Sequence, residues 1–219
     1  MSNPWLAIPL EDYEGHMGSA AVQQLSVLEE LFRRALDYCS PASVAVLGIA
    51  GGNGLEQIDR AATIRIVGVD VNRRYLDEVQ RRFGALRGLE LHCLDLAKQK
   101  IELPPVALVH AALIFEHAGP GRALTNALSI VEAGGALSVV LQLPSEQEQG
   151  VAFAGYASMQ TLKRDFTLIG IDEFQTLLAE RGFRLVARET RSLPAGKAFW
   201  LGIFQKPVNR LDQVRERFP

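Results

Sequence analysis

The chain has 219 residues, with 23 basic and 25 acidic side chains and a formal net charge of −2. Nearly half of it is apolar, enough for one α/β domain with a substantial core. So even a charge balance argues against a surface built for nucleic-acid phosphates or an anionic membrane. No run reaches the roughly 18 apolar residues of a membrane span. The opening MSNPWLAIPLEDYEGHM lacks the basic flank and apolar length of a secretion signal. A cytoplasmic protein without nucleic-acid or membrane partners is expected. The two cysteines, Cys39 and Cys93, lack CxxC spacing and read as buried reduced thiols, and no His/Cys cluster suggests a metal.

Residues 1 to about 18 read as an irregular arm rich in aromatics and acids. Val22, Leu25, Leu28, Leu31, Phe32 and Leu36 then recur at helical spacing, with Ser19 as the expected cap and Pro41 marking the end. SVAVLG predicts a buried strand, Leu55 to Ala62 a short helix and TIRIVGVD a second strand. VNRRYLDEVQRRFGAL predicts a helix with Asn72 as its N-cap. GLELHCLD and PVALVHAAL follow as strands, GRALTNALSIVEAGG as a helix ended by Gly134 and Gly135, and ALSVVLQLP as a fifth strand. Residues 144–170 read as irregular, apart from a short helix from Ala157 to Lys163. GIDEFQTLLAERG predicts a helix capped by Asp172, and residues 183–206 two strands around Pro194, Ala195 and Gly196. Strands alternating with helices predict a doubly wound, mostly parallel sheet with an antiparallel C-terminal hairpin.

The glycines of VAVLGIAGGNGLEQI mark a strand-to-helix junction where backbone approaches a ligand or another element closely. A triphosphate-binding loop needs Lys and Ser/Thr after its last glycine, whereas Leu55 and Glu56 stand there. A dinucleotide fingerprint needs a third glycine where Gln57 stands, and Glu56 would repel a pyrophosphate at a helix start.

The third reading is S-adenosylmethionine, whose amino-acid end carries no phosphate. The stretch LGIAGGNG, Asp70 at the end of the second strand and Asp95 after the third resemble the class I, Rossmann-like methyltransferases that use this cofactor. The resemblance runs from about Val44 to Lys206. Gly48, Ala50 and Gly52 fall on the family's glycine motif, with Gly54 beyond; Ala50 replaces the middle glycine, and Val46 stands where an acid is common. The resemblance implies a seven-stranded sheet in a single domain spanning 1–219. It implies that Asp70 takes the ribose hydroxyls and Asp95 the adenine amino group, with Leu94 and Leu96 flanking the ring. Helix capping by Asp70 and a solvated Asp95 are the alternatives.

After the fourth strand, Glu116-His117 matches a pair often found in small-molecule members of that family. In-line methyl transfer depends on alignment, and a base helps only if the acceptor must lose a proton. His117 is the catalytic candidate and Glu116 a weaker one, while His110 reads as a core histidine bonded to a backbone carbonyl. Residues 1–40 are expected to form a lid, with Tyr13 or His16 touching the cofactor's carboxylate or the acceptor; a strap packing Trp5, Leu6 and Ile8 on the surface is the alternative. Residues 144–170, with Phe153, Tyr156 and Met159, are expected to wall the acceptor side. The expected function is methylation of an unidentified small molecule. A cofactor-binding sensor or scaffold, and then a nicotinamide oxidoreductase, are the rivals; the sequence is compatible with a homo-oligomer without specifying one.

Overall fold

The computed structural model describes residues 3–145, 155–164 and 166–208. Its described strands form one seven-stranded sheet: β1 (Ser43–Leu47), β2 (Arg65–Asp70), β3 (Leu89–Cys93), β4 (Val106–Ala112), β5 (Val131–Gln142), β6 (Arg184–Ser192) and β7 (Ala198–Gln205). The order across the sheet is β3-β2-β1-β4-β5-β7-β6. The first five strands pair in parallel, and β7 lies antiparallel between β5 and β6. Strand order therefore reverses between β1 and β4, and such a switch point opens a crevice at the carboxyl ends of the strands.

The helices are α1 (Leu10–Gly18), α2 (Gln24–Cys39), α3 (Arg73–Phe83), α4 (Ile114–Ala118), α5 (Arg122–Ser129) and α6 (Ile171–Ala179). One apolar cluster joins Val67, Val109, Leu137 and Phe204 of the sheet to Phe115, Leu124 and Phe174 of α4, α5 and α6. The other joins Val44, Val46, Ile66 and Leu108 to Leu31 and Phe32 of α2 and Leu76 and Val79 of α3. The central strands are covered on both faces, which is why they read as unbroken apolar runs.

Several expected boundaries move. The arm is not irregular: Pro4–Ala7 is a 3₁₀ turn and Leu10–Gly18 a helix. Pro9 leads into it and Glu11 and Asp12 occupy its first turn, both favourable at a helix start. Gly15 is there for contact, since a Cβ on it would sit 2.3 Å from the Tyr156 hydroxyl. Ser19 closes α1 instead of opening α2, which starts after Gln23 in the left-handed region. The helix expected over Leu55–Ala62 is one 3₁₀ turn, Leu55–Gln57, because the Asp59 side chain accepts the Ala61 N–H and diverts the backbone. VEAGG belongs to β5, not to the end of α5. Gly135 lies where β4 and β5 shift register, and a Cβ there would be 2.8 Å from the Ala107 carbonyl. Gly170, not Asp172, precedes α6, and Asp172 sits in its first turn. Residues Ala157–Arg164 form a 3₁₀ helix where a short helix was expected.

Cys39 and Cys93 are free and half-buried, less covered than the sequence suggests. Burial pushes the Cys39 thiol up to about 11. No helix among the described residues is long and apolar enough to cross a membrane. No group of three or more His, Cys, Asp or Glu among them is placed to hold a metal ion.

Candidate functional site

A cavity of about 310 Å³ opens at the switch point. Its floor is made of strand ends and the loops leaving them: Gly48 and Ala50 after β1, Asp70 and Val71 at β2, Leu94 to Lys98 after β3, and Ala112 to Ile114 after β4. Its roof comes from Asn3, Pro4 and Trp5, from Tyr13, His16 and Met17 of α1, and from Met159, Leu162 and Phe166. Gln24 and Leu28 of α2, His117 of α4 and Gln142 of β5 complete the wall.

The glycine loop divides by role. Gly48 and Ala50 line the cavity, whereas Gly52 and Gly54 do not. Gly48 has φ +72°, and a Cβ there would lie 2.1 Å from Ile114 Cδ1, so only bare backbone fits. Gly52 and Gly54, with φ +88° and +87°, make room for Phe83 of α3 and Phe32 of α2. Those two glycines let helices close on the loop. Ala50 also adopts positive φ, +47°, which an alanine holds at a cost of about 1–2 kcal/mol.

Asp70 anchors that turn. Its Oδ2 accepts the Ala50 N–H at 3.0 Å and its Oδ1 the Asn72 N–H at 2.9 Å. Burial raises the carboxyl above its usual range, and the N–H groups of Asn72, Ala50 and Val71 pull it back. The carboxylate's remaining lone-pair capacity is open to a hydroxyl donor. Capping belongs to Asn72, whose side chain accepts the Arg74 N–H as expected. Asp95 Oδ1 accepts the Ala97 N–H, its Oδ2 the Asn3 side-chain amide at 3.2 Å, and Lys98 lies 3.5 Å away. Leu94 and Leu96 both line the cavity beside it.

The arm is tied down over this floor by hydrogen bonds besides that of Asn3. Asn72 Nδ2 donates to the Trp5 carbonyl at 2.9 Å, and the Tyr75 hydroxyl donates to the Ile8 carbonyl at 3.0 Å. Glu14 pairs with Arg82 of α3 directly above Gly51. Ser158 donates to Asp12 at 2.6 Å. Tyr13 is edge-on to Trp5 and tilted against Tyr75. Burial, with Asp70 and Glu14 nearby, raises its phenol, so it stays neutral. His16 is buried against Tyr156. Trp5 faces the cavity and Ile8 is buried, while Leu6 of the same arm is exposed.

Glu116 and His117 point different ways. The His117 ring is at the cavity, edge-on to Trp5 at 5.0 Å and to Phe166 at 5.1 Å. Burial pulls it down to about 4, leaving a neutral imidazole at pH 7, and its Nδ1 has no hydrogen-bond partner. Glu116 is 1% exposed and does not line the cavity. His110 is a core residue, but its partner is the Ser138 hydroxyl at 3.0 Å, not a carbonyl; it stacks on Phe32, and burial pulls it to about 3. Tyr156 and Met159 pack at the roof, and Phe153 lies outside the described residues.

Trp5, Asn3, Gln24, Gln142 and Phe166 join the site without a motif to mark them. Trp5 alone left a signal, as a large aromatic in a polar arm.

The strand order, the antiparallel β7 and the switch-point cavity define the Rossmann-like fold of class I methyltransferases. The solved structures it resembles include the N-methyltransferase NodS from Bradyrhizobium japonicum WM9 in complex with S-adenosyl-L-homocysteine. There the TM-score is 0.67 at 16% identity, over 94% of this chain and 100% of that one. Magnesium protoporphyrin IX methyltransferase (ChlM) from Synechocystis PCC 6803 with bound SAM gives 0.68 at 11% identity, over 94% and 98%. The [4+2]-cyclase SpnF gives 0.64 at 14% identity, over 87% and 84%. No family model matches the chain, and no curated protein matches it.

Proposed function

We propose that the chain binds S-adenosylmethionine in the switch-point cavity and methylates a small molecule there. The observation that carries this reading is the convergence of Gly48, Ala50, Asp70, Asp95 and Leu96 on one cavity. The residues fit the cofactor: a bare Gly48 backbone for the methionine end, a buried carboxylate with spare lone pairs for the ribose, and Asp95 between two leucines for the adenine. The complexes of NodS and ChlM with SAH and SAM support the choice of cofactor.

When bound, the cofactor supplies an electrophilic methyl group on a sulfonium that is already a good leaving group. The chain contributes position and dryness. The loop after β1 and the two aspartates fix one reactant, while the roof of Trp5, Tyr13, Met159 and Phe166 excludes water and confines the other. His117, neutral at pH 7, can take up the proton an amine or hydroxyl acceptor loses, although burial keeps it a weak base. The arm from Asn3 to Met17 then acts as a lid, and Met159, Leu162 and Phe166 as the acceptor-side wall.

A second reading, cofactor binding without methyl transfer, is favoured by that weak basicity, and the likeness to a [4+2]-cyclase is an example of a similar fold with another activity. A nicotinamide dinucleotide is disfavoured. Only a three-residue 3₁₀ turn follows the glycine loop, so no helix N-terminus faces a pyrophosphate. A crystal structure with S-adenosylhomocysteine tests the reading: the ribose should meet Asp70 and the adenine Asp95, and a ligand bound elsewhere would refute it. Turnover of methyl-labelled cofactor with a panel of amines, phenols and carboxylates then separates transferase from binding protein.

A further inference from the structure

β4 ends at Ala112, and Leu113 turns away with φ +56° while its N–H still reaches the Val140 carbonyl at 3.0 Å. β5 runs on to Gln142, past the end of its neighbour. A buried backbone N–H on that side needs an acceptor that no described strand supplies. Glu116 supplies it: its Oε1 accepts the Gln142 N–H at 2.8 Å. The backbone carbonyl of the same residue accepts the Thr167 N–H at 2.9 Å. Glu116 therefore ties together three neighbours of the cavity: its own successor His117, Gln142, and Phe166 beside Thr167. It does so without lining the cavity itself.

We infer that Glu116 is a positioning residue, not an acid or base: by accepting the Gln142 N–H its side chain holds His117 in register around the acceptor, while its backbone carbonyl holds the Phe166 segment through the Thr167 N–H. The inference rests on the proposed methyl transfer only for the acceptor; the clamp itself is a side-chain oxygen holding a backbone N–H. A carboxylate is not required for it, only an oxygen acceptor at this length. That requirement separates Glu116→Gln, which keeps the oxygen, from Glu116→Met, which keeps the volume and loses it.

The test is NMR of the full chain as wild type, E116Q and E116M. Trp5 and Phe166 lie edge-on to the His117 ring and displace its proton resonances, so these report the arrangement directly. E116Q should retain the displaced His117 resonances and the slow exchange of the Gln142 amide. E116M should move the former toward free-imidazole positions and speed the latter on the order of 10-fold or more. Identical spectra for E116M and wild type, or equal displacement in both variants, would overturn the inference. Should E116M not fold, E116Q and wild type decide: a Gln142 amide that exchanges as fast as a surface amide in either refutes the clamp. Titration of the same samples with S-adenosylhomocysteine keeps the two readings apart, because failure to bind sinks the cofactor assignment and leaves the clamp standing.

Discussion

Replacing Glu116 by Gln should reshape how stability depends on pH. The carboxyl is almost wholly buried, one oxygen accepts a backbone N–H, and the other has no partner. Burial pushes it up to about 7, against the opposing N–H groups of Gln142 and Glu116 itself. The sign follows from proton counting. Between about pH 4.5 and 7 the native chain keeps a proton that the unfolded chain has released, so stability falls as pH rises through that window and levels above it. A proton affinity raised from a usual value near 4.5 to about 7, at about 1.4 kcal/mol per tenfold change, amounts to about 3 kcal/mol. His117 and His110 act in the opposite sense: with values pulled to about 4 and about 3, they add stability as pH rises toward 6.5. The wild-type profile mixes these with other shifted carboxylates such as Asp70, and the difference between E116Q and wild type isolates Glu116. Urea unfolding followed by circular dichroism from pH 4 to pH 8 should show E116Q gaining about 3 kcal/mol on wild type across the range. A buried amide NH₂ left unpaired adds only a constant offset. Parallel profiles, within about 0.5 kcal/mol, would refute the placement of an ionisable Glu116 in an apolar interior.

Other substitutions test other parts of the site. Gly48→Ala puts a Cβ at positive φ and against Ile114, and should cost about 2–4 kcal/mol by thermal unfolding. Adding Ile114→Val should recover part of that loss, and a double variant no better than the single one would contradict the contact. Ala50→Gly relieves a left-handed alanine and should raise stability by up to about 1 kcal/mol, the relief exceeding the added chain entropy. A lower melting temperature would show that the added chain entropy of glycine outweighs the relief. Tyr75→Phe leaves the Ile8 carbonyl without its donor and should cost about 1–3 kcal/mol. Hydrogen exchange should then quicken across residues 3–18; unchanged arm amides would mean that this bond does not hold the arm.

The sheet was legible because its central strands are covered on both faces and read as apolar runs bounded by glycine and aspartate. Asp70 and Asp95 could be placed at strand ends for the same reason. The arm was harder, since Gly15 and Gly18 argue against a helix and only contact with Tyr156 explains Gly15. VEAGG misled because paired glycines usually stop a helix, and here they let β5 slip past the Ala107 carbonyl. Within the glycine loop the motif does not reveal that Gly52 and Gly54 serve Phe83 and Phe32 and only Gly48 faces the cavity. Glu116 and His117 are adjacent in sequence, yet the step of about 100° between neighbours on α4 sends one toward β5 and the other toward the cavity. Gln24, Gln142 and Phe166 reach the site only through the crossing of elements distant in sequence, which no local pattern records.

The central claim is that Gly48, Asp70 and Asp95 form one cofactor site, and isothermal titration with S-adenosylhomocysteine tests it most directly. Wild type should bind one equivalent with a dissociation constant on the order of micromolar, and Asp70→Asn and Asp95→Ala should each weaken binding about 10-fold or more while circular dichroism confirms their fold. A folded wild type that gives no binding heat at several temperatures, or folded variants that bind as tightly as wild type, would contradict the account.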